Sequence, residues 1–189
     1  MNFWLRLIFQ LIGSAFSRPL ALPDGVSIRR ARVWPVDLDV FLHMNNGRYL
    51  THMDLGRSDL LVRSGLWRVV REDRLTPIIG AALIRFRREL GPFQRFDIET
   101  RIVGWLDTTA VIQQEFRIRS GPRDGEIAAV ALVRAGLYDR TARKFVPISR
   151  LLQRLGLTAE SPAMANEVET FLAAEAALRR PESRSDHQA

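Results

Sequence analysis

Between residues 26 and 146 the apolar residues recur with two incompatible periods, and that switch restricts the folds open to the chain. Over 46–65 they return every three or four positions, with Tyr49, Met53, Gly56 and Leu60 on one face, so the spacing predicts a helix with one buried side. Asn45 or Asn46 offers an N-cap and Gly65 a stop. Gly56 in mid-helix is unfavourable by about 1 kcal/mol against Ala, and close packing on a sheet is the expected compensation. On both flanks the period falls to two. Residues 27–36 alternate weakly, as an edge or interface strand does. Residues 77–88, 95–106 and 109–119 alternate more clearly, with Phe96, Ile98 and Ile102 set against Arg95, Asp97, Glu99 and Arg101. Residues 126–138 are almost uninterrupted apolar, the pattern of a strand covered on both faces.

Turn-forming residues at 90–92 (LGP), 107–109 (DTT) and 121–125 (GPRDG) predict hairpins, hence one strand, one long helix and then a meander of four strands. The fold class is α+β: a five-stranded antiparallel sheet wrapped around a central helix, because each apolar strand face needs one partner layer. Residues 66–76 read as a short basic connection. Residues 148–155 and 163–178 read as C-terminal helices, giving a domain at 26–147, a helical extension at 148–180 and a disordered tail at 181–189.

Residues 1–20 make an apolar helix with one narrow stripe of Arg6, Gln10, Gly13 and Ser17. The apolar stretch is shorter than the roughly 20 residues a membrane span needs, and Arg6 lies inside it rather than before it, unlike a signal peptide. Two readings remain: a helix lying in a membrane surface through residues 1–18, or one packed on the domain or a second copy. A cytoplasmic protein, with membrane association only at the cytoplasmic face, is the expected location. With no cysteine and only three His, the chain lacks the material for a disulfide scaffold, a thiolate nucleophile or a Cys-ligated metal; no cofactor or metal is expected. Of 28 basic residues only Lys144 is not Arg, and the net charge is +7, which suits an anionic partner. The basic residues are scattered among acids and aromatics are few, so nucleic acid is not the expected one.

Unusual residues concentrate at 33–50, VWPVDLDVFLHMNNGRYL, between the first strand and the long helix. This segment presents carboxylates and an imidazole beside a helix N-terminus, whose unpaired N–H groups near Asn46 and Gly47 can stabilise an oxygen gaining negative charge. Asp39 or His43 can act as nucleophile or as the base that activates water. The same residues have structural uses: Asp37 and Asp39 bonding turn amides, Asn45 and Asn46 capping, His43 serving the loop. Asp54 and Asp59, on the helix, read as solvent-facing or structural charges.

DLDVFLHMNNGRY at 37–49, followed by the helix and by PIIGAALIRFRRELGPFQRFDIETRI at 77–102, resembles the hotdog-fold acyl thioesterases. The similarity is greatest to the branch of 4-hydroxybenzoyl-CoA thioesterase-like and acyl-carrier-protein thioesterases. It implies dimers, or dimers of dimers, with active sites at the subunit interface. It also implies Asp39 as catalytic carboxylate, His43 as its partner, and the N–H of Asn46 as the donor to the thioester carbonyl. Asn45 and Tyr49 then fall near the acyl group, and Arg85, Arg87 and Arg88, with Arg95, are candidates for the phosphates of coenzyme A. One departure is Phe41, where the acyl-carrier-protein branch often has Asn. The expected activity is hydrolysis of an acyl-CoA or acyl-carrier-protein thioester. The alternative is a non-catalytic hotdog protein that binds acyl-CoA or lipid at a membrane or in a complex. Ile78, Ile79, Leu83 and Met53 read as core, or as the wall of an acyl tunnel.

Overall fold

The computed structural model describes residues 11, 13, 14 and 16–178. The helix expected over 1–20 lies mostly outside the described residues, and the tail at 181–189 lies wholly outside them. Among the described residues no helix is long and apolar enough to cross a membrane. Ser14 and Leu20 dock on the domain: the Ser14 hydroxyl donates to buried Asp59, and the Leu20 N–H donates to the Arg63 carbonyl at 2.9 Å.

Among the described residues the elements from residue 27 onward are β1 (Ser27–Arg32), α1 (Asn46–Arg63), α2 (Leu66–Glu72), β2 (Leu75–Phe86), β3 (Arg95–Trp105), β4 (Thr109–Ile118), β5 (Ile127–Asp139), β6 (Lys144–Phe145), α3 (Ile148–Arg154) and α4 (Asn166–Ala177). The sheet is antiparallel throughout and runs β1-β3-β4-β5-β2, with short β6 on the end of β5. This is the hotdog arrangement, a curled sheet closed around α1. Its buried face consists of the residues read from the helical period: Tyr49, Met53, Gly56 and Leu60 all turn inward. They meet Phe96, Ile98, Phe116 and Ile118, contributed by alternate positions of β3 and β4.

Gly56 marks the closest approach of helix and sheet. A Cβ there would lie 2.7 Å from Thr100 Oγ1 and 2.8 Å from Gln114 Nε2. Gln114, fully buried on β4, donates from Nε2 to the Met53 carbonyl and to Thr100 Oγ1, and its Oε1 accepts from Arg57 Nη1 at 2.7 Å. Asp59 accepts from Ser14, Ser27 and Arg63, so its role is structural, whereas exposed Asp54 pairs with Arg57.

Three expectations need correction. The four-strand meander reduces to three strands, β3-β4-β5. LGP at 90–92 makes no hairpin, because β1 occupies the place beside β3 and β2 pairs with β5 on the far edge. The near-continuous apolar residues of β5 reflect cover on both faces of the sheet, Ala131 and Val133 towards the α1 side and Leu132 towards Val168 and Phe171, and do not specify which strands flank it. The basic connection contains α2, whose Leu66, Val69 and Val70 pack with Leu75, Leu137 and Leu151; their helical spacing was the available signal. Ile78, Ile79 and Leu83 are not core. They lie 36%, 43% and 54% exposed on β2, whose outer edge pairs with nothing among the described residues, while Met53 is fully buried.

Candidate active site

The segment between β1 and α1 folds back on itself. Leu38 bridges Met44, the Asp39 N–H donates to the His43 carbonyl at 2.9 Å, and the Asn45 N–H donates to the Asp37 carbonyl at 2.8 Å. The tip of this narrow loop is Val40, Phe41 and Leu42, 89%, 76% and 63% exposed, with Leu42 at φ 60° to complete the reversal. Asp37 faces inward. Its Oδ2 accepts from the Trp34 N–H at 3.0 Å and lies 4.0 Å from Nε2 of buried His52, and its Oδ1 lies 3.8 Å from Arg48 Nε. The first Asp of DLD therefore fastens the loop to α1.

Asp39 sits half-buried at the base of the tip. Its Oδ1 accepts from the Phe41 N–H at 2.9 Å and from the His43 N–H at 3.3 Å; among the described residues its Oδ2 has no hydrogen bond. One oxygen is thus held by backbone and the other left open, an arrangement suited to a nucleophile or base with a fixed aim. Phe41 contributes only its N–H, its ring pointing to solvent. A polar side chain at that position is therefore not what secures the carboxylate.

The helix N-terminus is narrower as a donor than its sequence implies. Asn45 is the N-cap: its Oδ1 accepts from the Gly47 N–H at 2.9 Å, and its carbonyl accepts from the Arg48 N–H at 2.8 Å. Gly47 is thereby used up, and the Asn45 side chain is committed to the backbone rather than to substrate. The N–H of Asn46 remains without an acceptor among the described residues, at the positive end of an 18-residue helix.

The His43 imidazole lies beside Glu89. Its Nε2 lies 3.8 Å from Oε2 of Glu89, which also faces Arg123 at 3.8 Å. Glu89 comes from the turn after β2, brought alongside when the Met44 N–H donates to the Leu90 carbonyl at 2.8 Å. No local pattern marks Glu89 in the sequence, because its neighbour His43 belongs to another element. Tyr49, expected near the acyl group, lies on the buried face of α1. It is buried with its ring against Phe86 and Phe116, and burial, with Glu89 adding to it, pushes its hydroxyl pKa up to about 12.

Among the described residues none of the candidate arginines forms an ion pair with Asp39. Arg85 stands opposite Val130 on β2, Arg88 Nε pairs with Glu126 at 3.0 Å, and Arg95 stands opposite Arg32. Arg87 and Arg88 line a hollow of about 350 Å³ with Arg117 and Glu126. Arg117 is held by Glu99 and Glu115, so among these three arginines only Arg87 has no acidic partner among the described residues. Among the described residues no cluster of His, Asp and Glu could hold a metal ion.

A family model described as the thioesterase-like superfamily matches residues 33–155, from the end of β1 through α3. Protein THEM6 of Danio rerio is 34% identical over 132 residues, 70% of this chain and 64% of that protein, so the match spans just under two thirds of the relative's length. Among solved structures, the YbaW probable thioesterase from Escherichia coli superposes with a TM-score of 0.62 at 22% identity, covering 68% of this chain and 96% of that one. The 4-hydroxybenzoyl-CoA thioesterase from Pseudomonas sp. strain CBS-3 gives 0.61 at 17% identity, over 69% and 98%. At these identities the two structures speak to the fold.

Proposed function

The chain belongs to the thioesterase-like superfamily, and from that membership we propose that it is a thioester hydrolase, cleaving an acyl-CoA or acyl-carrier-protein thioester to free acid and thiol. The observation that carries the reading is the pairing, on one strand-to-helix loop, of a carboxylate with one open oxygen and a helix-end amide without an acceptor. The thioester carbonyl oxygen accepts from the Asn46 N–H, which favours the charge that develops there by on the order of 3 kcal/mol. Asp39 Oδ2 then either attacks the carbonyl carbon, expelling the thiolate and leaving an anhydride that water cleaves, or removes the proton of an attacking water. In both routes the thiolate leaves with the electron pair of the C–S bond and is protonated. His43, held towards Glu89, is placed to carry that proton or to order the water.

Asp39→Asn tests this: release of free thiol from acyl-CoAs is expected to fall about 10²–10⁴-fold with acyl-CoA binding retained. Wild-type turnover by that variant would remove Asp39 from the mechanism. Flat wild-type traces on every acyl-CoA, with binding intact, would favour the non-catalytic binding role, which the solvent-facing Phe41 ring beside Asp39 keeps in play.

Arg87 is the residue best placed to meet a phosphate of coenzyme A, being the unpaired cation of its hollow, with Arg85 on the same strand end and Arg88 partly neutralised by Glu126. A homodimer formed through the open edge of β2 supplies the partner, with a dimer of dimers as the larger assembly. We place the protein in the cytoplasm, with residues 1–18, of which Ser14 is bound to Asp59, as a peripheral membrane contact.

A further inference from the structure

The half of α1 remote from Asp39 borders a cavity of about 390 Å³, closed by α2, α3 and the ends of β3, β4 and β5. Its walls are almost wholly apolar, with Leu61, Trp67, Ile79, Ile102 and Trp105 among them, and small Ala110 and Ala135 on the sheet side. The charged groups at its rim, Asp54 and Arg57, neutralise each other, and Arg57 also donates to Gln114. A cavity of this size and lining accepts a hydrocarbon, and Arg57, the cation at its rim, is already engaged.

A row of side chains along α1 runs from the cavity towards the open amide of Asn46. Asn46, Leu50, Asp54, Arg57 and Leu61 follow one another at helical spacing beside the buried face of α1, and Leu50 is 46% exposed. The facing wall is the inner side of β2. Phe86 touches Tyr49 and so points towards the helix, and Ile79, opposite inward-facing Ala135, points the same way. Direct passage through the core is closed, because Tyr49 and Met53 are buried there.

We propose that this groove and cavity bind a linear apolar acyl chain, the thioester end at Asn46 and the methyl end among Ile79, Ile102 and Trp105. The assignment rests on the thioesterase reading and deepens it by naming the acyl class. At 1.5 Å of rise per residue, Asp54 lies about 12 Å and Leu61 about 22 Å along the helix from Asn46. With carbon–carbon bonds of about 1.5 Å in a zigzag, a chain of roughly ten carbons reaches the cavity mouth and one of roughly eighteen its far side. Short and compact aryl acyl groups leave it empty.

Two readouts test the assignment on the full chain. The first is kcat/KM for hexanoyl-, decanoyl- and hexadecanoyl-CoA in the wild type and in Ile79→Trp and Ala110→Phe, both of which fill the cavity. The expected result is a rise with chain length in the wild type, and a fall of about tenfold or more in the hexadecanoyl-to-hexanoyl ratio in either variant. The second is displacement of dansylated undecanoic acid, which needs no turnover: hexadecanoyl-CoA should displace the probe and hexanoyl-CoA should not. Chain-length-dependent displacement without hydrolysis of any thioester supports the cavity assignment while removing the hydrolase reading. Hydrolysis with a flat chain-length profile in the wild type, or a folded wild type that does not bind the probe, overturns the cavity assignment.

Discussion

Gly56 shows how much one missing side chain decides. Replacement by Ala would add about 1 kcal/mol of helix propensity in an isolated helix. In this protein the new methyl group meets Thr100 Oγ1 at 2.7 Å and Gln114 Nε2 at 2.8 Å, both within a buried hydrogen-bonded network. Gly56→Ala is therefore expected to destabilise by about 1–3 kcal/mol, lowering Tm by about 2–4 °C for each kcal/mol. A thermal melt shifted upwards would contradict the close contact. Tyr49 supplies a second test. Its pKa of about 12 in the folded protein exceeds the ordinary value of 10.0, so between these values the folded state keeps a proton that the unfolded state loses. Its contribution is complete below about pH 10 and disappears by about pH 12, removing on the order of 3 kcal/mol. Urea unfolding across that window should show this alkaline loss in the wild type and a shallower one in Tyr49→Phe; equal slopes would mean the hydroxyl is not responsible.

At the scale of elements, the decisive one is β2. Its inner neighbour is β5 and its outer edge is unpaired among the described residues, yet it carries Ile78, Ile79, Leu83 and Phe86 at 36–54% exposure. Open apolar edges of this length are templates for strand addition. Leu83→Lys, a charge on that edge, is expected to convert a dimer to a monomer in sedimentation with the circular dichroism unchanged; an undisturbed dimer would place the interface elsewhere. Most elements were legible, because helical and alternating periods are local properties that need no knowledge of the partner layer. The pairing of β2 was not, since a turn sequence such as LGP encodes a reversal and not which strand comes next in the sheet. The same distinction explains the site. DLD…HMNN marked the Asp39 loop, but Glu89 and the destination of His43 depended on a second segment arriving beside the first.

At the scale of the molecule, the sheet is covered on both sides. α1 fills the inner face, and α4 lies on the outer one, where Val168 and Phe171 bury against Val111 and Leu132 and Glu175 pairs with Arg134. Phe171→Ala should destabilise by about 3–5 kcal/mol, read by chemical denaturation, because the cavity it leaves lies between two rigid layers. A loss below 1 kcal/mol would mean that α4 is only loosely applied. The sequence by itself determined the strand and helix periods, the small residue under the helix and the acidic loop before it, since each is a repeated demand of one local backbone on its own side chains. Tertiary structure alone decided that β2 pairs with β5, that Glu89 arrives beside His43, and that an apolar cavity opens past Arg57. These outcomes depend on which remote surfaces meet, and packing between distant segments leaves no period in the chain to read.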